Sequence, residues 1–244
     1  MKRFLSKAFL GLCALVTTTA VAFAQFGAVL GGEETSFHQA LKIKFIEGSA
    51  TFMSMICVAL ILGLAFALER IVYLNLADTN AVKLLKGIEG ALDKGDVEGA
   101  KAIARDTKGP IASIAYQGLT RIDQGVDIVE KSVVSYGSVQ GGLLEKNLSW
   151  ITLFIAVSPS LGFLGTVVGM VIAFDAIEQA GDISPTIVAG GMKLALITTI
   201  FALIVAVILQ IFFNYILTLI ESLTADMEDA SISLLDIVVK HSKN

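Results

Sequence analysis

The chain has 244 residues, of which 55% are hydrophobic and 16% charged, and its mean hydropathy is +0.78, a value at which the average segment prefers hydrocarbon to water. Its net charge of -4 comes with no basic stripe, which excludes a nucleic-acid-binding surface. Two histidines and two cysteines, with no spacing signature for zinc, a P-loop, a dinucleotide or a Ser or Cys nucleophile, leave little material for catalysis, a cofactor or a metal site.

Residues 1–24 carry Lys2, Arg3 and Lys7, then an apolar run from Ala8 to Phe23 and Ala22-Phe23-Ala24 before Gln25. This pattern predicts a secretory signal with an A-x-A cleavage site. An uncleaved anchor helix is the competing reading, because the run is long for a signal. Cys13 and Cys57 lie inside apolar runs, where a thiol behaves as a small hydrophobe and no disulfide is expected. Leu12 is too bulky before Cys13 for lipid attachment. In the segment 25–47, Phe37, Leu41 and Phe45 recur every four residues while His38, Lys42 and Glu47 point elsewhere. That spacing predicts an amphipathic helix on the outer membrane surface, or a loose extension of the first span.

Three uncharged runs follow. The first, 48–68, would be about 30 Å long as a helix, matched to a bilayer core, and Glu69 and Arg70 end it. The second, 148–174, lies between Glu145-Lys146 and Asp175; the third, 186–220, has Lys193 as its one charge and at roughly 50 Å must project beyond the bilayer. Segment 69–147 holds Arg70, Lys83, Lys86, Lys94, Lys101, Arg105, Lys108, Arg121, Lys131 and Lys146, whereas the connection 175–185 holds Asp175, Glu178, Asp182 and no base. The first is therefore expected in the cytoplasm, with the tail 221–244, and the second in the periplasm. A signal-like start gives the same orientation independently.

Within 69–147 the spacing of Leu84, Leu85, Ile88 and Leu92 predicts a helix. Lys94-Gly95-Asp96 turns the chain, and Val97–Ala104 resumes before Lys108-Gly109-Pro110. A further helix from about Gly125 is expected to run unbroken into the second span. The fold expected is an all-α integral membrane protein: three transmembrane helices after a signal peptide, with long helices extending into a cytoplasmic helical bundle.

No ionisable side chain stands between Leu148 and Phe174, and Lys193 alone, beside the phenol of Tyr215, between Thr186 and Ile220. A protein that relays protons by itself embeds Asp, Glu or His in its spans; here a titrating group would have to come from elsewhere. Pro159, Gly162, Thr166 and Gly169 share one helical stripe, Gly165 and Gly169 form a G-x-x-x-G pair, and Ala195, Thr199, Ala202 and Ala206 make a second narrow stripe, with Thr198 about 100° away. On spacing alone, each Thr hydroxyl bonds the carbonyl four residues back and does nothing more. Ser158, Thr198 and Lys193 are candidates for selectivity or a vestibule, although Lys193 read by itself snorkels to the interface. Asp175, Glu178 and Asp182 read as a solvated cap or a cation-attracting mouth rather than a catalytic cluster.

Pro159-Ser-Leu-Gly-Phe-Leu-Gly-Thr-Val-Val-Gly169 resembles the signature of the ExbB/TolQ/MotA proton-channel family on its second core span. Ala189-Gly-Gly-Met-Lys-Leu-Ala-Leu-Ile-Thr-Thr199, followed by Leu203, is similar to the family's third-span signature. The likeness covers about residues 48–220 and implies a homopentamer around the single-span helices of an ExbD-like dimer. That partner's membrane Asp would carry the ion, and a TonB-like protein would pass work to an outer-membrane transporter. By motif, Thr166 and Thr199 would line the ion path, with Pro159, Gly162, Gly165, Gly169, Ala195 and Ala202 packing the helices around it. Leu194 stands where the family has a Glu and Ala202 where it has a Gly, so a role for that Glu does not transfer. MotA-like stators carry a further span, and the signal-like start leans towards ExbB over a TolQ-like subunit for outer-membrane maintenance. A non-conducting membrane scaffold is the alternative. The extra hydroxyls keep Na⁺ open beside the proton.

Overall fold

The computed structural model describes residues 42, 43, 45, 46 and 48–242; the expected signal segment 1–24, Cys13 and most of the amphipathic segment lie outside the described residues. Seven α-helices run from Ala50: α1 Ala50–Ala77, α2 Ala81–Leu92, α3 Val97–Asp106, α4 Pro110–Leu119, α5 Val126–Leu144, α6 Leu148–Ala180 and α7 Pro185–Ser242, with a 3-10 turn at Ile122–Gln124. No strand occurs among the described residues. Among the described residues, three stretches, in α1, α5–α6 and α7, are long and apolar enough to cross a membrane. The chain is thus an all-α membrane protein. Contacts divide the described residues into two compact units, one falling within Met1–Ala67 and Ser149–Tyr215, the other within Leu68–Leu148 and Ile216–Asn244.

In the first unit the three apolar helices share a core in which Ile56, Ala202, Val205 and Leu209 are buried, with Leu60, Leu64, Phe154, Ile155 and Leu161 packed against them. Gly63 makes room for Leu209, whose Cδ atoms lie 2.7 Å from where a Cβ would stand. Phe66 stacks on Trp150 and Phe154 at centroid distances of 6.0 and 6.3 Å. The second span outruns its uncharged stretch: α6 continues to Ala180, so Asp175 and Glu178 ride on its last turns. The connection to α7 is then only Gly181–Ser184, with Gly181 at φ 67°.

The second unit is built by the expected turns at Gly95-Asp96 and Gly109-Pro110 and by helix caps. Asn80 caps α2 by accepting from the Lys83 amide at 3.0 Å, and Asp96 caps α3 from the Gly99 amide at 2.8 Å. Gly95 takes φ 73° between them, while Gly109 at φ 119° precedes Pro110, the first residue of α4. Leu84, Ile88 and Leu92 turn into the unit's core, as do Ala100, Ala104, Ile111, Ile114 and Leu119. The far end of α7 is tied to α2 by Lys240, whose ammonium lies 2.9 Å from Glu89 and 3.4 Å from Asp93. Glu89 first, then Asp93, raise its pKa above the ordinary lysine value. On this exposed pair the effect is on orientation more than stability.

One expectation fails. The helix from Gly125 does not run unbroken into the second span: α5 ends at Leu144, Glu145–Asn147 form a turn, and α6 begins at Leu148. Asn147 adopts φ 66°, a left-handed conformation that Asn tolerates better than most residues and that commonly ends helices. Arg70 consolidates the break from α1. Arg70 is 3% exposed, and its guanidinium pairs with Glu69 at 2.6 Å, donates to the Leu143 carbonyl at 3.3 Å and lies 4.5 Å over the Tyr73 ring. Asn147 Nδ2 donates to the same Glu69 at 3.4 Å.

Arg70→Met should therefore loosen this turn. Glu69 is half exposed and can return to water, so the cost is the charged hydrogen bonds, about 1–3 kcal/mol. Thermal unfolding in detergent should show the loss, and limited proteolysis should show new cleavage near Glu145–Asn147. An unchanged proteolytic pattern would mean that Asn147 holds the break alone.

Candidate functional site

Residues of the second and third spans meet along a seam of missing or small side chains. On α6 these are Gly162, Gly165, Gly169 and Ala173; on α7 they are Gly191, Ala195, Thr198 and Ala202. The spacings of three and four place each set on one helical face. A Cβ on Gly162 would stand 2.5 Å from Ala202 Cβ and 3.2 Å from Thr199 Cα; one on Gly165 would stand 2.6 Å from Thr198 Cγ2. One on Gly169 would meet Leu194 Cδ2 at 2.9 Å and Ala195 Cβ at 3.3 Å, and one on Gly191 would meet Ala173 Cβ at 2.3 Å. The helices approach this closely because glycine leaves nothing between the backbones.

The seam is rotated from the stripes read in the sequence. On α6 the buried line is Ser158, Gly162, Gly165, Gly169 and Ala173, with Pro159 and Thr166 half-buried at its flank. On α7 it is Ala195, Thr198, Ala202, Val205 and Leu209, with Thr199 and Ala206 at the flank. Sequence spacing alone could not choose, because both flanks offer small residues.

The rotation separates the hydroxyls into two groups. Ser158 and Thr198 are fully buried and bond their own helices, Ser158 Oγ to the Phe154 carbonyl at 2.7 Å and Thr198 Oγ1 to the Leu194 carbonyl at 3.0 Å. These are the back-bonded hydroxyls that spacing alone predicts. Thr166 and Thr199 sit half-buried at the rim; Thr166 also bonds its own helix, three residues back, and Thr199 alone of the four reaches across the seam. Thr199 Oγ1 crosses the seam to donate to the Gly162 carbonyl at 3.1 Å, and Thr166 Oγ1 donates to the Phe163 carbonyl at 2.6 Å. Two threonines 33 positions apart thus commit their protons to consecutive carbonyls of α6. A hydroxyl whose proton is committed presents its lone pairs and can serve as a hydrogen-bond acceptor.

Lys193 is exposed on α7 two turns after its start, and Ser160 is exposed on α6, bonding the Ala156 carbonyl at 3.0 Å. Among the described residues no group of three or more His, Cys, Asp or Glu side chains gathers to hold a metal ion. Sequence reading missed Gly191 opposite Ala173. The signal lay in Gly190-Gly191 itself, a second small-residue pair one turn before Ala195.

A model of the MotA/TolQ/ExbB proton channel family matches residues 106–229, half of the chain. Among curated proteins, the chain is 29% identical over 157 residues to the putative biopolymer transport protein ExbB homolog of Methanothermobacter thermautotrophicus, a match covering 64% of this chain and 56% of that one. It is 39% identical over 64 residues to the biopolymer transport protein exbB1 of Vibrio cholerae, covering 26% of this chain and 28% of the relative. The matches thus reach about half the length of one relative and a quarter of the other. With half of its residues in the family match and with the glycine seam and rim threonines on the two signature spans, the chain belongs to the MotA/TolQ/ExbB proton channel family.

Proposed function

We propose that this chain is the ExbB-like subunit of an ion-driven motor in a bacterial inner membrane, energising TonB-dependent outer-membrane transport. The observation that carries the reading is the pair of rim threonines, bonded to adjacent carbonyls of one span in helices that hold no carboxylate between Leu148 and Phe174 or between Thr186 and Ile220. Such a surface offers oxygens to an ion but cannot carry a proton itself, so the titrating group comes from a partner. The reading supplies it as the membrane Asp of an ExbD-like single-span protein, enclosed by a ring of copies of this chain, five by family resemblance. A TonB-like protein would transmit the work. Both relatives are named for biopolymer transport, which favours the ExbB branch over TolQ-like or MotA-like roles.

In this reading the mature amino terminus is periplasmic and the second unit cytoplasmic, an orientation that the Lys and Arg distribution supports. Thr166 and Thr199 accept from the protonated partner carboxyl or from the hydrated ion. Gly162, Gly165, Gly169, Ala195 and Ala202 hold the two spans close enough to keep those oxygens at the rim, while Pro159 flanks them. The buried, back-bonded Ser158 and Thr198 serve the seam, and Lys193 lies in the outer vestibule.

The test is ion flux through the complex purified from native membranes by a tag on this chain and reconstituted in vesicles. Thr166→Ala and Thr199→Ala should each stop flux while the complex keeps its partner and mass. Wild-type flux in both would sink the reading, and loss of flux only through disassembly would assign the chain a scaffold role.

A further inference from the structure

Resting on the reading of Thr166 and Thr199 as path-lining, we propose that Gln210 and Asn214 form a second polar station on the same ion path. It lies further along the third span towards its cytoplasmic end and passes a hydrated monovalent cation onward.

Three observations on the first unit carry this. The first is angular. Gln210 stands eleven residues after Thr199 on an unbroken helix, which returns it to within about 20° of the same face, some 16 Å along the axis. Leu203 and Ala206 separate the two stations on that face. The second is depth. Leu209, the neighbour of Gln210, packs into the gap at Gly63, and Gly63 lies about 7 Å inside the end of the first uncharged run at Leu68. An amide at that depth has no water to bond if it faces lipid, and hydrocarbon does not replace it. Yet Gln210 is exposed on this chain, as is Asn214 one turn nearer the end of the run, while Leu209, Ile216 and Val205, about 100–140° around the helix from Gln210, are buried.

The third observation is convergence. Gln210 Nε2 donates to Asn214 Oδ1 at 3.2 Å, one turn apart. A glutamine has two N–H donors and an acceptor carbonyl, so that one bond does not saturate it. On α6, Thr152 is exposed and stands fourteen residues before Thr166, within about 40° of its face. The antiparallel register, Gly169 against Ala195 and Gly162 against Ala202, extends to bring Thr152 level with Gln210 to Phe212. Both helices therefore repeat the same arrangement: a rim hydroxyl, an apolar interval and a second polar group at a matching depth. Amides do not titrate in this range. They orient water and bind a cation weakly, which lets an ion leave as well as enter.

The experiment uses the same reconstituted complex with Gln210→Leu, Asn214→Leu and Gln210→Glu, beside Thr199→Ala. Each Leu variant should lower flux by about tenfold, the scale of one lost aligned hydrogen bond, with mass and partner retained. Gln210→Glu should make flux fall or rise with pH as the new carboxyl titrates, a response that a packing role would not produce. Wild-type flux in both Leu variants, or loss accompanied by disassembly, overturns the second station, the latter assigning the amides to contacts between copies. If Thr199→Ala also has wild-type flux, the underlying reading fails instead.

Discussion

Gly162→Ala should destabilise the first unit, and Ala202→Gly in the same chain should restore it. In an exposed helix, Ala for Gly is worth about 0.8–1 kcal/mol in favour of the helix, so the sign depends on the clash. The new Cβ would stand 2.5 Å from Ala202 Cβ, where carbon atoms settle at about 3.5–4 Å. The helices must part by about 1 Å, and the Thr199 to Gly162 bond at 3.1 Å breaks with them. Overpacking of this kind costs about 1–3 kcal/mol, more than the helical gain. Removing the opposing methyl with Ala202→Gly returns the space, so the double variant should recover most of the loss and give a coupling of about 0.5–3 kcal/mol. Gly190→Ala is the control: nothing lies within 4 Å of its Cβ position, so it should be neutral or stabilising. Thermal unfolding of the detergent-solubilised protein reads all four. Loss of stability in Gly162→Ala without rescue would mean that the strain is relieved elsewhere than across the seam.

Legibility of the fold followed the strength of the local signals. Turns were readable because Gly95-Asp96 and Gly109-Pro110 each do one chemical job regardless of what packs on them, whereas the Asn80 cap of α2 went unread. The spans were readable because a bilayer demands a run of about 20 apolar residues. The end of α5 was harder. Glu145-Lys146-Asn147 is short and helix-compatible at its first two positions, and only the left-handed Asn147, fixed by Glu69 from α1, makes it a break. The rotation of the seam was not legible at all. Thr198 and Thr199 are chemically identical neighbours, and the first is buried against Gly165 while the second reaches Gly162 only because α6 lies on that side. Family likeness chose Thr199 by alignment; the geometry supplies a physical difference between the two. The amides at Gln210 and Asn214 were overlooked because hydropathy averages them into an apolar run, although their cost in hydrocarbon is what makes them informative.

Thr199→Val should abolish ion-driven transport while leaving the protein nearly as stable as before. Valine keeps the volume and branching of threonine and removes only the hydroxyl. The bond it forfeits, Thr199 Oγ1 to the Gly162 carbonyl, goes to an oxygen that helical geometry already pairs with the amide of residue 166. Its loss therefore orphans no backbone group, and interhelical hydrogen bonds between membrane helices average about 0.6 kcal/mol. If the hydroxyl served packing alone, transport would fall in proportion to that small loss, a factor of roughly three. If its oxygen accepts from a partner carboxyl or a hydrated ion, nothing in valine replaces it, and flux should fall far more than stability does. Thr199→Ser separates chemistry from shape, because serine restores the acceptor oxygen without the methyl and should recover most of the flux. Transport in step with melting temperature across Val, Ser and Ala would return Thr199 to the seam. Flux that tracks the presence of an oxygen, at nearly constant melting temperature, would assign it to the ion path.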